Sequence, residues 1–252
     1  MKNKVPQVTF VFWLIKIAAT TLGETGGDAL SMTLNLGYAI STAIFFAIFL
    51  VTVALQIVSS KLNRFLYWAV IVATTTVGTT TSDYLTRSAG LGYFWASVIL
   101  LAGVLAGLGF WYLTLGSVNV NYITNRKAET FYWLTILTSN TLGTALGDCL
   151  ADTSGLGYEG GAWVFGGMLA LIATLYFFTN ISHVTLFWTA FILTRPLGAT
   201  LGDILTKPIS HGGLNLSRFT SSYVIAGLML ILILFISGRS KAEASQPSGS
   251  EG

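Results

Sequence analysis

Four aspartates recur at one register in an otherwise apolar chain: Asp28, Asp83, Asp148 and Asp203. Each lies near the end of a segment that reads as membrane-spanning, where a central carboxylate costs about 2.5–3.5 kcal/mol on insertion scales. Four such groups, with Glu24 one turn before the first, need compensation by a proton, a salt bridge, a capped turn or a bound cation. Positions i, i+3 and i+7 share a helix face. Read back from each aspartate, that face carries Thr21–Glu24–Asp28, Thr76–Thr79–Asp83, Thr141–Thr144–Asp148 and Pro196–Ala199–Asp203. Three stripes of oxygen therefore end in a carboxylate, and the fourth keeps the carboxylate alone. Oxygen ligands without cysteine or paired histidine suit hard ions: Mg²⁺, Mn²⁺, Ca²⁺, or H⁺ and Na⁺. Several carboxylates about one axis favour a divalent ion.

The expected ion-binding set is thus Asp28, Asp83, Asp148, Asp203, Glu24, Thr21, Thr76, Thr79, Thr141, Thr144 and Asn140, with the five acids as metal ligands. A competing reading places each aspartate in the headgroup region, organising the Leu- and Gly-containing turn that follows. Threonines in membrane helices also commonly bond back to their own backbone. The alignment of the stripes across copies favours ligands.

Two cations fall inside the same segments. Lys16 stands where the other copies have Ile71, Ile136 and Phe191, and Arg195 where they have Thr20, Thr75 and Asn140. Both are expected to act as tethered counter-ions and gating groups for the carboxylates; the alternative, snorkelling to an interface, weighs more for Lys16. Pro196 is expected to kink its helix, as broken helices often do at transporter ion sites. Asp152, four residues after Asp148, is a further ligand at the mouth or a solvated cap. Glu159, His183 and His211 read as loop or surface residues. No nucleophile–base constellation, zinc motif, phosphate-cradling loop or basic aromatic patch occurs, so neither an enzyme, a cofactor nor a nucleic-acid partner is expected. The expected partners are the lipid bilayer and an inorganic cation, transported Mn or Mg.

The elements that must position these residues follow from composition and repetition. Charged residues are 9% of 252, hydrophobic ones 53%, and mean hydropathy is +0.72. Ordinary soluble domains carry about 25% charge, so lipid is the solvent for most of this chain. The single cysteine, Cys149, excludes an internal disulfide framework. Met-Lys-Asn-Lys leads straight into a span-length segment without a cleavage pattern, which reads as a first transmembrane helix.

Trp13, Trp68, Trp133 and Trp188 recur, each preceded by Phe12, Tyr67, Tyr132 or Phe187. Gly23, Gly78, Gly143 and Gly198 follow ten residues on, the aspartates five later, then Leu30, Leu85, Leu150 and Leu205, and Gly37, Gly92, Gly157 and Gly212. The unit is a two-helix repeat, over about 4–58, 59–115, 124–180 and 181–237. A span needs about 20 apolar residues. First helices are predicted at about 6–30, 65–87, 130–152 and 184–206, and second helices at about 37–58, 92–114, 160–180 and 219–237.

The fold class expected is therefore an all-α membrane protein, residues 1–237, with eight transmembrane helices as four parallel repeats around a pseudo-symmetric centre. The pairs Gly23/Gly27, Gly78/Ser82, Gly143/Gly147 and Gly198/Gly202 would let the first helices pack as an inner ring. Ten extra residues between copies two and three point to two-copy halves. Lys and Arg number eight on the side of both termini and three (Arg87, Lys207, Arg218) on the other, placing both termini in the cytoplasm. The tail 238–252 reads as a disordered cytoplasmic segment.

These columns resemble a family of bacterial membrane proteins built from four tandem two-helix repeats, each with a characteristic Trp and without a known function. The likeness covers about residues 4–237 and implies eight spans in the bacterial inner membrane, but no site residues. From the residues alone, the leading expectation is a transporter of a hard divalent cation such as manganese. The alternatives are a proton-coupled transporter of an organic solute or anion using Lys16 and Arg195, and a non-transporting scaffold or sensor.

Overall fold

Three of the repeat's first helices start on a side-chain cap. Thr9 Oγ1, Asn63 Oδ1 and Asn125 Oδ1 accept from the backbone N–H groups of Phe12, Leu66 and Ala128, satisfying donors that a helix start leaves open. The computed structural model describes residues 3–245, and every long element in it is helical. In chain order these are α1 (Phe10–Asp28), α2 (Gly37–Val58), α3 (Arg64–Asp83), α4 (Gly92–Leu115), α5 (Arg126–Asp148), α6 (Gly157–Phe178), α7 (His183–Thr206) and α8 (Arg218–Ser245). The boundaries sit within a few residues of those predicted, α1 and α5 starting four residues late and early. One difference is the tail: α8 runs on to Ser245, so 238–245 is helix rather than a disordered segment, and 246–252 lies outside the described residues.

Each of the first three aspartates ends its α-helix and hands over to one π-helical turn: Ala29–Thr33, Tyr84–Ser88 and Cys149–Thr153. The glycine column that follows is a conformational requirement. Gly37, Gly92, Gly157 and Gly212 have φ of 73°, 68°, 64° and 80°, a left-handed region that costs other L-residues roughly 1–2 kcal/mol. A turn of this shape reverses the chain within a few residues.

Packing sorts the helices into two classes. The first helices close a ring, α1 against α3, α3 against α5, α5 against α7 and α7 against α1. Each second helix packs on the first helix of the following copy: α2 on α3, α4 on α5, α6 on α7, and α8 back on α1. Outer helices are therefore shared between repeats, which binds successive copies together. The glycines of the first helices make the ring tight. A β-carbon at Gly23 would overlap the Thr75 side chain, one at Gly78 the backbone of Asn140, one at Gly143 the side chain of Arg195, and one at Gly198 that of Thr20. Each glycine thus meets the same repeat position of the next copy.

An aromatic collar closes the end of the ring where α1 begins. Phe12 meets Trp68 at 5.3 Å between centroids, Tyr67 meets Trp133 at 5.5 Å, Tyr132 meets Trp188 at 6.2 Å, and Phe187 meets Trp13 at 5.7 Å. The tryptophan column is packing between copies. The outer helices expose Leu50, Leu105, Phe177 and Ile231, a surface suited to acyl chains. Among the described residues, five helices, α2, α4, α6, α7 and α8, are long and apolar enough to cross a membrane. The polar ones, α1, α3 and α5, are carried within the ring. The chain is a helical membrane protein with an internal repeat.

Candidate functional site in the ring of first helices

Inside the ring, residues four apart stack into layers. From the aromatic collar upward the layers are Lys16, Ile71, Ile136 and Phe191; then Thr20, Thr75, Asn140 and Arg195; then Glu24, Thr79, Thr144 and Ala199; then the four aspartates. Every one of these polar or charged side chains is buried. The inward face is thus i, i+4, i+8 and i+12, one step round from the i, i+3, i+7 stripe predicted. Thr21, Thr76 and Thr141 fall on the neighbouring face, and each hydroxyl donates to its own helix, to the carbonyls of Ile17, Val72 and Leu137. The structure therefore does not bring them to the carboxylates. Thr79 and Thr144 are brought in.

Arg195 occupies the centre. Its Nη2 donates to Glu24 Oε2 at 3.0 Å, to Thr144 Oγ1 at 2.6 Å, and to Thr79 Oγ1. In the fourth copy that layer holds Ala199, whose small side chain leaves room for the guanidinium rising from the layer below. Among the described residues, Arg195 Nε and Nη1 have no hydrogen-bond partner. Lys16 does not snorkel. It is fully buried, its Nζ 3.3 Å from Asn140 Oδ1 and 4.1 Å from the centre of the Phe191 ring. Asn140 in turn donates to Thr74 Oγ1 at 3.0 Å. Lys16 thus reaches no carboxylate, and only Arg195 takes up the expected counter-ion position. α7 continues as one helix through Pro196.

The aspartates are paired two by two, through cations that entered the sequence reading only as topology signals. Arg87 reaches Asp83 Oδ1 at 3.3 Å and Asp148 Oδ2 at 3.0 Å. Lys207 reaches Asp203 Oδ1 and Asp28 Oδ2, both at 3.2 Å, and Arg218 Nε lies 3.5 Å from Asp28 Oδ2. Burial opposes the charge on Lys207, but the carboxylates of Asp203 and Asp28 outweigh it and hold the ammonium well above the ordinary lysine range. The signal was present: Arg87 and Lys207 each stand four residues after an aspartate, one helical turn on the same face. Both occur in even-numbered copies, where copies one and three have Met32 and Asp152.

One cluster stands out chemically. Glu24, Asp28 and Asp203 each offer a carboxylate oxygen, and the three oxygens lie within 4.8 Å of one another, all buried. Asp28 Oδ1 has no hydrogen-bond partner among the described residues. Asp83 and Asp148 belong to the other pair, across the ring. Asp152 lies outside both, accepting from Tyr93 at 2.9 Å and Tyr158 at 3.4 Å at the exposed rim. His183 packs against Tyr176 at the far end, with ring centroids 4.5 Å apart, and among the described residues no ion pair joins it or His211 to the acids.

The repeat register read here coincides with a family model described as a Repeat of Unknown Function (DUF347), which matches at 11–61, 66–117, 131–182 and 186–241. The chain belongs to this family. No curated protein and no solved structure matches it. Membership in the repeat family agrees with four tandem copies and assigns no chemistry, so function must be argued from the ring.

Proposed function

We propose that this protein transports a hard cation, a divalent metal such as manganese or magnesium, through the ring of first helices. All eight helices then span the membrane about a pseudo-symmetric centre, in a bacterial inner membrane with both termini cytoplasmic. The observation that carries the reading is the convergence of Glu24, Asp28 and Asp203, three buried carboxylates whose oxygens lie within 4.8 Å. Anionic oxygens so close repel one another unless a positive charge sits among them. Here Arg195 and Lys207 supply it, and a divalent cation is the chemical alternative that oxygen ligands favour. In the proposed cycle the ion takes Glu24, Asp28 and Asp203, and displaces Arg195 and Lys207; these return when the ion leaves. Thr79 and Thr144, which accept from Arg195, offer hydroxyl oxygens beside the carboxylates once the guanidinium is displaced.

The test is uptake of Mn²⁺ by proteoliposomes, with Glu24→Gln, Asp28→Asn and Asp203→Asn. Uptake that depends on the protein and is lost in each variant supports the reading; uptake absent, or unchanged by all three, refutes it.

A second reading, transport of an organic solute or anion coupled to protons, is favoured by the two unpartnered nitrogens of buried Arg195 and by Lys16 beside them without a carboxylate. It predicts that Lys16→Met and Arg195→Met abolish transport while metal ions leave the melting temperature unchanged.

A further inference from the structure

The distribution of ion pairs divides the ring unequally. Among the described residues, five ion pairs join different copies: Lys4–Glu129 at 2.7 Å, Arg87–Asp148 at 3.0 Å, Arg195–Glu24 at 3.0 Å, Lys207–Asp28 at 3.2 Å and Arg218–Asp28 at 3.5 Å. All five connect the first two copies to the last two. The seams they cross at the aspartate end are α3/α5 and α7/α1.

Among the described residues, no ion pair crosses the other two seams. Across α1/α3, Thr75 donates to the Ala19 carbonyl at 3.1 Å and Thr79 to that of Gly23 at 3.2 Å, and a β-carbon on Gly27 would lie 3.1 Å from that of Thr79. Across α5/α7, a β-carbon on Gly147 would lie 3.3 Å from that of Ala199. Glycine packing is as close at α7/α1, where Thr20 donates to the Thr194 carbonyl at 3.2 Å and a β-carbon on Gly202 would lie 2.8 Å from that of Glu24, so what sets α3/α5 and α7/α1 apart is their ion pairs, which can exchange partners.

We propose that the carboxylates are reached by parting the two halves along α3/α5 and α7/α1 at the aspartate end, with Arg87 and Lys207 as the latches. Each latch is anchored in its own half by the aspartate one turn back, Asp83 or Asp203, and holds the other half through Asp148 or Asp28. Losing the cross-seam partner therefore leaves the cation paired at home and frees the carboxylates of Asp148 and Asp28 to meet an incoming charge. The opposite end stays shut, because the aromatic collar crosses both seams there, with the Tyr67–Tyr132 hydroxyl bond of 2.5 Å on one and the Phe187–Trp13 contact on the other. The proposal rests on the transport reading for the purpose of the motion, but not for its geometry.

The test compares two buried thiols in a Cys149→Ser background, which removes the chain's single cysteine. Ser82→Cys probes α3/α5, because Ser82 fills the column whose glycines lean on the next helix. Thr80→Cys probes α1/α3, since Thr80 packs against Gly27. Both native side chains are fully buried. Labelling by a membrane-impermeant maleimide is followed with and without Arg87→Gln plus Lys207→Gln.

Loss of the latches is expected to speed labelling at Ser82→Cys by at least ~10-fold, the population shift worth one lost ion pair, and to leave Thr80→Cys within about twofold. Equal acceleration at both sites, or none at Ser82→Cys, overturns the proposal. Where the double variant does not fold, Arg87→Gln alone must give the same selective effect. Adding MnCl₂ to protein with intact latches separates the two readings. Selective labelling after latch removal, with no effect of MnCl₂ on labelling or on vesicle uptake, keeps the seams and rejects the cation.

Discussion

Arg195 donates to Glu24 across the centre of the ring, Nη2 to Oε2 at 3.0 Å, with both side chains shut off from solvent. The two partners are not equivalent. A carboxylate left alone in a dry site can be neutralised by a proton, whereas a guanidinium cannot lose its charge in a protein. Glu24→Gln is therefore expected to destabilise by about 3–5 kcal/mol, the range for breaking a buried pair by removing one partner. Arg195→Met should cost less, and the double variant less than Glu24→Gln alone. Melting in detergent of the three variants checks the order; Arg195→Met costing more than Glu24→Gln would contradict it.

The ring glycines make a steric prediction. Gly143→Ala places a methyl group inside the Arg195 side chain, and Gly198→Ala places one on Thr20. Overpacking of this kind costs typically 1–3 kcal/mol. Gly26, on the same helix as Gly23 but with open space where its β-carbon would be, is the control. Gly26→Ala should be neutral or stabilising by up to about 1 kcal/mol, because alanine is the better helix former. Thermal melts of the three variants give the comparison.

These two predictions mark what the sequence could and could not reveal. The four-copy unit, the eight helices, the inner ring and the tight glycine faces were all legible, because each follows from a residue type repeated at fixed spacing. The inward face was off by one step: helices crossing in a ring bring i, i+4, i+8 inward, and that choice depends on how each helix tilts against its neighbours. Thr21, Thr76 and Thr141 were misplaced for this reason. Arg87 and Lys207 were missed because a cation at a helix end looks like a topology signal, and which aspartate it reaches across the ring is settled only by packing. Arg195 was legible as a departure from its column, but the space made for it by Ala199 was not.

At the collar, Tyr67 and Tyr132 share a hydroxyl hydrogen bond of 2.5 Å, both rings buried. Removing one hydroxyl leaves the other buried without its partner, which costs about 1–3 kcal/mol, whereas removing both leaves nothing unsatisfied. Tyr67→Phe and Tyr132→Phe should each lower the melting temperature, and Tyr67→Phe/Tyr132→Phe should recover most of the loss. Additive losses in the cycle would show that the hydroxyls do not act as a pair.

Lys4 ties three elements together at the same end. Its ammonium meets Glu129 Oε2 at 2.7 Å and the carbonyls of Ile57 and Gln56 at 3.0 and 3.3 Å. The carbonyls belong to the last turn of α2, where no backbone partner remains and a cation also faces the negative end of the helix. Glu129 lies in the first turn of α5, so the segment before α1 joins the end of the first copy to the start of the third. Lys4→Met breaks all three contacts and abandons a buried carboxylate, and is expected to cost about 3–5 kcal/mol. Lys4→Arg keeps the charge but changes the shape, and should cost less. Glu129→Gln leaves the two carbonyl contacts in place, so its effect should fall below that of Lys4→Met. Hydrogen exchange separates this from a merely local loss: Lys4→Met should speed exchange at the end of α2 and the start of α5 together, whereas fraying confined to residues 3–9 would contradict the tie.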